Sequence, residues 1–239
     1  MNTKLSVIIG NANMGHILKM CLYSFMKYNG QYVDEIIIPD NSSTDWSPQF
    51  YQENKYKDMT KVLMYDNLRD RTETLVWPHG QQWDLGLNNC KNEYALVTHA
   101  DIEWRGDWVG KFLKEGYPQK PYLYGVGGGD DSASCCRIHE WGMIINVPIW
   151  KHLGVSFEGV WNPSDAPGES FDTGAYMFRR AYQKGYEIIS VLRDGPSPDG
   201  KISNVVDDNE WFFHHIAGSR YRKNIITEYA KNYNEQNKG

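Results

Sequence analysis

Glu93-Tyr-Ala-Leu-Val-Thr-His-Ala-Asp-Ile-Glu103 is a short apolar run, Tyr94 to Thr98, that leads into two carboxylates, Asp101 and Glu103. An apolar run of this length without polar alternation is the pattern of a strand buried on both faces. Open α/β sheets carry ligand chemistry just beyond the carboxyl ends of such strands. Two carboxylates at i, i+2 in that place suit a hard divalent cation that also holds a substrate phosphate. The triplet alone is a common accident of composition, so the flanking chain decides its meaning.

Upstream, Leu5-Ser-Val-Ile-Ile9 reads as a buried strand. Ile17, Leu18, Cys21, Leu22, Phe25 and Met26 then recur at helical spacing, and Asn29-Gly30 ends that helix. Glu35-Ile-Ile-Ile38 is a second strand, closed by the turn and cap cluster Pro39 to Asp45. Strand–helix–strand at this length is a βαβ unit and implies a parallel sheet. Lys61 to Tyr65 is a third strand, 79–92 a helix with Leu85 and Leu87 facing in, and 107–115 a short helix.

Downstream, Tyr122–Val126 and Gly142–Val147 alternate as strands of a mixed or antiparallel segment, separated by a Gly- and Asp-rich loop. A short helix over 148–153, a helix over 173–184 ended by Gly185, and a strand from Tyr186 to Val191 complete the pattern. The stretches 155–171 and 193–209 exceed ordinary loop length and read as lids. The Lys/Asn/Gln-rich end, 231–239, reads as a frayed tail.

The 239 residues, 41% hydrophobic and 14% aromatic, are globular in composition. No run approaches the roughly 18 apolar residues of a membrane span. The apolar residues before Asn11 are too few for a signal-peptide core. Cys21, Cys90, Cys135 and Cys136 have no metal-binding spacing and read as reduced thiols, so the expected location is the cytoplasm. A net charge of −5 argues against nucleic acid as a partner, with Arg220, Arg222 and Lys223 as the one local basic group noted.

Four ordered segments carry a family resemblance. Ser6-Val-Ile-Ile-Gly-Asn-Ala-Asn13 resembles the S-V-I-I-P-T-Y-N opening of family 2 glycosyltransferases with the GT-A fold, with Gly10 in place of Pro and Ala12 in place of an aromatic residue. Glu35 to Asp45 resembles their E-I-I-V-V-D-D-G-S-T-D, and Asp84 to Tyr94 their N-x-G-L-x-x-A-K-G-E-Y. Asp101-Ile-Glu103 then stands where the family has its D-x-D-type motif. A later stretch, Glu140 to Gly154, is similar to the segment preceding the acceptor site, and the likeness extends over about residues 4–216.

The resemblance implies an α/β fold of the GT-A (Rossmann-like) type: a mixed, mostly parallel central sheet flanked by helices, with a C-terminal extension on the acceptor side. It implies one catalytic domain over 1–239, with a nucleotide-sugar half (1–104), an acceptor half (105–220) and a tail (221–239). The implied reaction moves a sugar from a UDP- or similar nucleotide sugar to the hydroxyl of a glycan or other acceptor, with inversion. Mn²⁺ or Mg²⁺ would neutralise the departing diphosphate. Asp101 and Glu103 would meet the metal, Asp101 also the ribose. Asp40 would accept from the base or ribose, with Asn11, Asn13 and Asp84 nearby. Each also suits a plainer part, as turn residue, cap or exposed helix acid.

The family's base is a Glu-Asp pair before a helix ending R-x-x-x-x-G-Y. Here that helix runs on to Arg180 and Gly185-Tyr186, and Thr173-Gly174 occupies the pair's place. Asp172 is the nearest carboxylate and Glu169 the second choice; Asp172 equally suits an N-cap. In Trp211-Phe-Phe-His-His-Ile-Ala-Gly-Ser-Arg220, His214, or else the adjacent His215, resembles a third metal ligand and Arg220 a diphosphate contact, while a partly buried structural histidine is the plainer reading. Two other readings stand beside this one: a catalytically silent sugar- or nucleotide-binding module, and a sugar-phosphate nucleotidyltransferase. The latter would need an Arg or Lys in the loop after strand one, and Gly10–His16 has neither.

Overall fold

A computed structural model describes residues 3–66, 79–128, 137–161, 164, 167, 170–171, 173–195, 205–206, 212–214 and 223–237. Strand β1 (Leu5–Gly10) leads through helix α1 (Gly15–Asn29) to β2 (Val33–Asn41), and α2 (Ser47–Glu53) precedes β3 (Thr60–Tyr65). Helix α3 (His79–Asn88) leads into β4 (Tyr94–His99), followed by β5 (Ile102–Trp104), α4 (Trp108–Lys111), β6 (Leu123–Gly128) and β7 (Arg137–Ile138). Then come β8 (Met143–Asn146), α5 (Val147–Leu153), β9 (Val160–Trp161), β10 (Ser170–Phe171) and α6 (Ala175–Gln183). The chain closes with β11 (Ile188–Gly195), β12 (Val205–Val206), β13 (Phe212–His214) and α7 (Lys223–Gln236).

Seven strands form the body of the sheet in the order β3-β2-β1-β4-β8-β6-β11. All run parallel except β8, which is antiparallel to both β4 and β6. This is the mixed, mostly parallel sheet expected from the sequence. Beyond β11 the sheet continues antiparallel through β12 and β13 to β5. The strand that carries Glu103 is therefore paired with the last strand among the described residues.

Alternation along the strands sorts the core into two layers. Leu5, Val7 and Ile9 of β1 face one cluster with Leu18, Cys21, Leu22 and Phe25 of α1. Ile8 faces the other, with Trp83 and Leu87 of α3, Ala95 and Val97 of β4, and Phe157. Both faces of the sheet are thus covered, which is why its strands are apolar throughout. In α3, Trp83 and Leu87 are fully buried while Leu85 is only half-buried, against the expectation that Leu85 and Leu87 both face in. Residues two apart on a helix point about 200° apart, whereas those four apart share a face.

Gly86 lets α3 sit directly on β1, since a Cβ there would lie 2.4 Å from Ile8 Cγ2. Gly86→Ala is expected to cost about 1–3 kcal/mol through overpacking. Thermal unfolding should show a Tm lower by roughly 2–10 °C, at about 2–4 °C per kcal/mol for this length.

Three elements differ from the sequence reading. Residues 107–115 form a four-residue α-turn capped by Asp107, which then widens into a π-turn over Phe112–Gly116. Within 155–171 lie β9 and β10, an antiparallel pair. The end of the chain is not frayed: α7 runs to Gln236, with Ile226 and Ala230 buried against Ile17 and Met20 of α1, and Tyr233 beside them. Positions 226, 230 and 233 make a narrow apolar stripe at helical spacing, which the polar residues between them obscure.

Candidate active site at the β1–β4 switch point

Strands β2 and β3 follow β1 on one side, while β4 pairs with it on the other, Gly10 opposite His99. The strand order reverses here, so the two loops diverge and leave a crevice beyond the carboxyl ends. The β1 loop enters from one side, the His99–Glu103 segment from the other. Because β8 runs antiparallel, its amino end also reaches this edge and brings Glu140 and Trp141.

The β1 and β2 loops are bound into one unit around Asp40. Asp40 is fully buried and accepts from Asn11 Nδ2 (2.7 Å), the Ser43 amide (2.7 Å) and the Tyr51 hydroxyl. Asn11 Nδ2 also lies 2.9 Å from Ser47 Oγ and 3.1 Å from Ser43 Oγ. The Asn11 backbone bridges β2 through Pro39 O and the Asn41 amide. Asn13, at φ 56°, accepts from the Thr44 amide (2.7 Å) and the Asp45 amide (3.2 Å). Asp45 receives the Gly15 amide at the start of α1 and the Ser47 amide at the start of α2. Burial, and then the Asp40 carboxylate, push the Tyr51 phenol well above its ordinary range. A base or ribose reaching Asp40 would have to displace one of these partners or share a lone pair.

Asp84, on α3, is bonded to the segment after α5. It receives the Phe157 amide (2.9 Å) and the Ser156 hydroxyl, fastening the segment after α5. Burial raises its carboxyl to about 6, and the bonds from Ser156 and Phe157 oppose that shift. A carboxyl raised in the fold favours the folded state when protonated, so this contribution is complete below about pH 4 and is lost as pH rises through 6. Asp84→Asn keeps an acceptor for the Phe157 amide and cannot ionise. Thermal melts should place it about 1–2 kcal/mol above the wild type at pH 7.5, with the gap closing towards pH 4.

Asp101 stands at the crevice edge, 4% exposed. The His99 ring stacks on the buried Trp83 at 5.1 Å, with Nδ1 3.8 Å from Asp101 Oδ1 and Nε2 4.0 Å from Glu140 Oε1. Glu103 is 7% exposed and accepts from Arg105 Nε and Nη2, each at 3.2 Å, and from the Tyr229 hydroxyl at 2.9 Å. Among the described residues no group of three or more His, Cys, Asp or Glu side chains converges on a metal position. Magnesium-like ions usually take only one or two carboxylates, with substrate phosphates and water completing the shell. Asp101 fits that demand; Glu103, with both oxygens held, does not in this arrangement.

The backbone of His214 pairs with Ile102, between the two acids. Asp172, Glu169 and Arg220 lie outside the described residues. On either side of Asp172 in the chain, Phe171 belongs to β10 and Thr173 is buried, while the Gly174 amide donates to Phe157 O at 3.0 Å. The residues that sequence reasoning missed are Ser43, Ser47 and Tyr51 around Asp40, Arg105 and Tyr229 around Glu103, and Glu140 beside His99. One signal was available: Asp45-Trp-Ser-Pro48 has an acid before a helix and Pro at its first turn, the start signature of α2.

This is the fold of the GT-A glycosyltransferases. Within it, residues 6–118 match the family described as Glycosyl transferase family 2. No curated protein sequence matches the chain. Among solved structures, mannosyltransferase PcManGT from Pyrobaculum calidifontis, in complex with GDP-Man and Mn²⁺, is 13% identical with a TM-score of 0.55. That alignment covers 82% of this chain and 58% of the other. S. aureus TarS aligns at 15% identity and a TM-score of 0.59, covering 94% of this chain and 39% of its own. TarS 1-349 in complex with UDP-GlcNAc aligns at 13% identity and 0.55, covering 88% and 58%. The chain thus spans less than two thirds of the length of these structures.

Proposed function

We propose that the protein is a glycosyltransferase that binds a nucleotide sugar in the β1–β4 crevice and passes the sugar to an acceptor hydroxyl. The observation carrying this reading is the placement of Asp101 at the switch point, within the segment that matches Glycosyl transferase family 2. The relatives in fold support it: the compared structures hold GDP-Man or UDP-GlcNAc. A UDP sugar is the first donor to test.

In this reading the Asn11–Asn13–Asp40 unit frames the nucleotide side, and Asp40 acts mainly by holding the loop shape. Asp84 holds the segment that borders α6. Asp101 would hold Mn²⁺ or Mg²⁺ together with the donor diphosphate, and His214 and Arg220 are the candidates for completing that side. When bound, the cation neutralises negative charge developing on the leaving diphosphate. Asp172, with Glu169 second, would take the proton from the acceptor hydroxyl as it attacks the anomeric carbon from the opposite face, inverting it. No helix among the described residues is long and apolar enough to cross a membrane.

The test is product analysis from a panel of UDP and GDP sugars, for the wild type and for Asp172→Asn and Glu169→Gln. Release of nucleoside diphosphate that falls by about 100-fold or more in one of the two variants supports the reading. Binding of the nucleotide sugar with no release under any condition supports a silent binding module instead.

A further inference from the structure

Glu103 occupies the second acidic position of Asp101-Ile-Glu103, yet its surroundings belong to the far end of the chain. The Arg105 guanidinium lies across the carboxylate, with Nε at 3.2 Å from Oε1 and Nη2 at 3.2 Å from Oε2. A two-pronged contact of this kind directs both carboxylate oxygens towards the guanidinium. Oε2 accepts in addition from Tyr229 of α7 at 2.9 Å. The Glu103 backbone lies opposite Phe213 of β13. Side chain and backbone of this one residue therefore meet both C-terminal elements.

Helix α7 also packs on α1. Ile226 and Ala230 pack on Ile17 and Met20, and Asn234 Nδ2 donates to His16 O at 2.9 Å. The Tyr229–Glu103 bond is the polar link from α7 to the strand that follows Asp101. A divalent cation approaching the same oxygens would meet the fixed charge of Arg105 and would have to displace two donors.

We propose that Glu103 is a positioning residue rather than a cation ligand: with Arg105 and Tyr229 it forms a clasp that ties the C-terminal helix to the donor-side strand end. The contrast with a cation ligand rests on the donor-site reading given above; the clasp itself does not.

The experiment uses the full chain as wild type, Glu103→Gln, Tyr229→Phe and Asp101→Asn. Amide hydrogen exchange is followed over α7, β5 and β13, and Mn²⁺ affinity is measured in the presence of UDP by electron paramagnetic resonance. Tyr229→Phe removes one hydroxyl and leaves the apolar packing of α7 intact, so it guards against a general folding defect. The clasp predicts exchange over 223–236 faster by roughly tenfold in Glu103→Gln and Tyr229→Phe, and unchanged in Asp101→Asn. It predicts Mn²⁺·UDP affinity within about threefold of wild type in the first two and a loss of about 10–100-fold in Asp101→Asn. Unchanged α7 exchange in both clasp variants would overturn it. So would a loss of Mn²⁺ affinity in Glu103→Gln as large as in Asp101→Asn. If the wild type binds no Mn²⁺ with UDP, the donor-site reading fails while the exchange data still decide the clasp.

Discussion

Asp101→Asn is expected to lower sugar transfer by about 100–1,000-fold, the range found when one group stabilising a developing anion is removed. The substitution keeps the shape of the side chain and removes its charge. Asp101 is 4% exposed and sits immediately after the strand that pairs with β1 across the switch point. A carboxylate beyond the carboxyl end of a strand at the switch point is placed to serve donor chemistry. The loss should fall mainly on kcat, since the interaction strengthens as the diphosphate departs. Stability should stay close to that of the wild type, because the substitution conserves the size of the side chain. A steady-state comparison at saturating donor, beside a thermal melt of both proteins, checks the two halves of this expectation together.

Asn11→Ala is expected to act through the fold. Asn11 Nδ2 sits at 2.7 Å from Asp40 and at 3.1 Å or less from the Ser43 and Ser47 hydroxyls. Removing it takes one donor from the fully buried Asp40 carboxylate, which also accepts from the Ser43 amide and the Tyr51 hydroxyl. Losing one donor to a buried charged acceptor costs about 2–3 kcal/mol. For a chain of this length that corresponds to a Tm lower by roughly 5–10 °C. Donor affinity should fall as well, since the same side chain sets the positions of Asn13 and the α1 start. Asn11→Asp is the sharper companion: it sets two acids against each other at the same site and should be worse than alanine.

Most of the sheet was legible because its strands are apolar on both sides, so each run stands out against the polar loops. β1, β2, β3, β4, β6 and β8 all lie where the sequence places them, to within about three residues. Helix α2 escaped because Phe50 is its one fully buried apolar side chain, too little for a periodicity. Helix α7 escaped because its contact stripe is three residues wide and set in Lys, Asn and Glu. In the site, Asp101 and the Asn11–Asp40 pair could be found from strand ends. The partners of Glu103 could not, since Tyr229 is 126 residues away and the link depends on where a helix comes to rest. The same holds for Glu140, which reaches the crevice only because β8 runs against its neighbours.

The central claim is that the β1–β4 crevice takes a nucleotide diphosphate sugar through Asp101. Isothermal titration of UDP-GlcNAc and GDP-mannose into the wild type and Asp101→Asn, each with Mn²⁺ and with EDTA, tests it most directly. The account predicts that one donor binds the wild type with Mn²⁺, and that affinity drops by about 10–100-fold on adding EDTA and likewise in Asp101→Asn with Mn²⁺. Equal affinity in all four conditions, or no binding of either nucleotide sugar to the wild type, would contradict it.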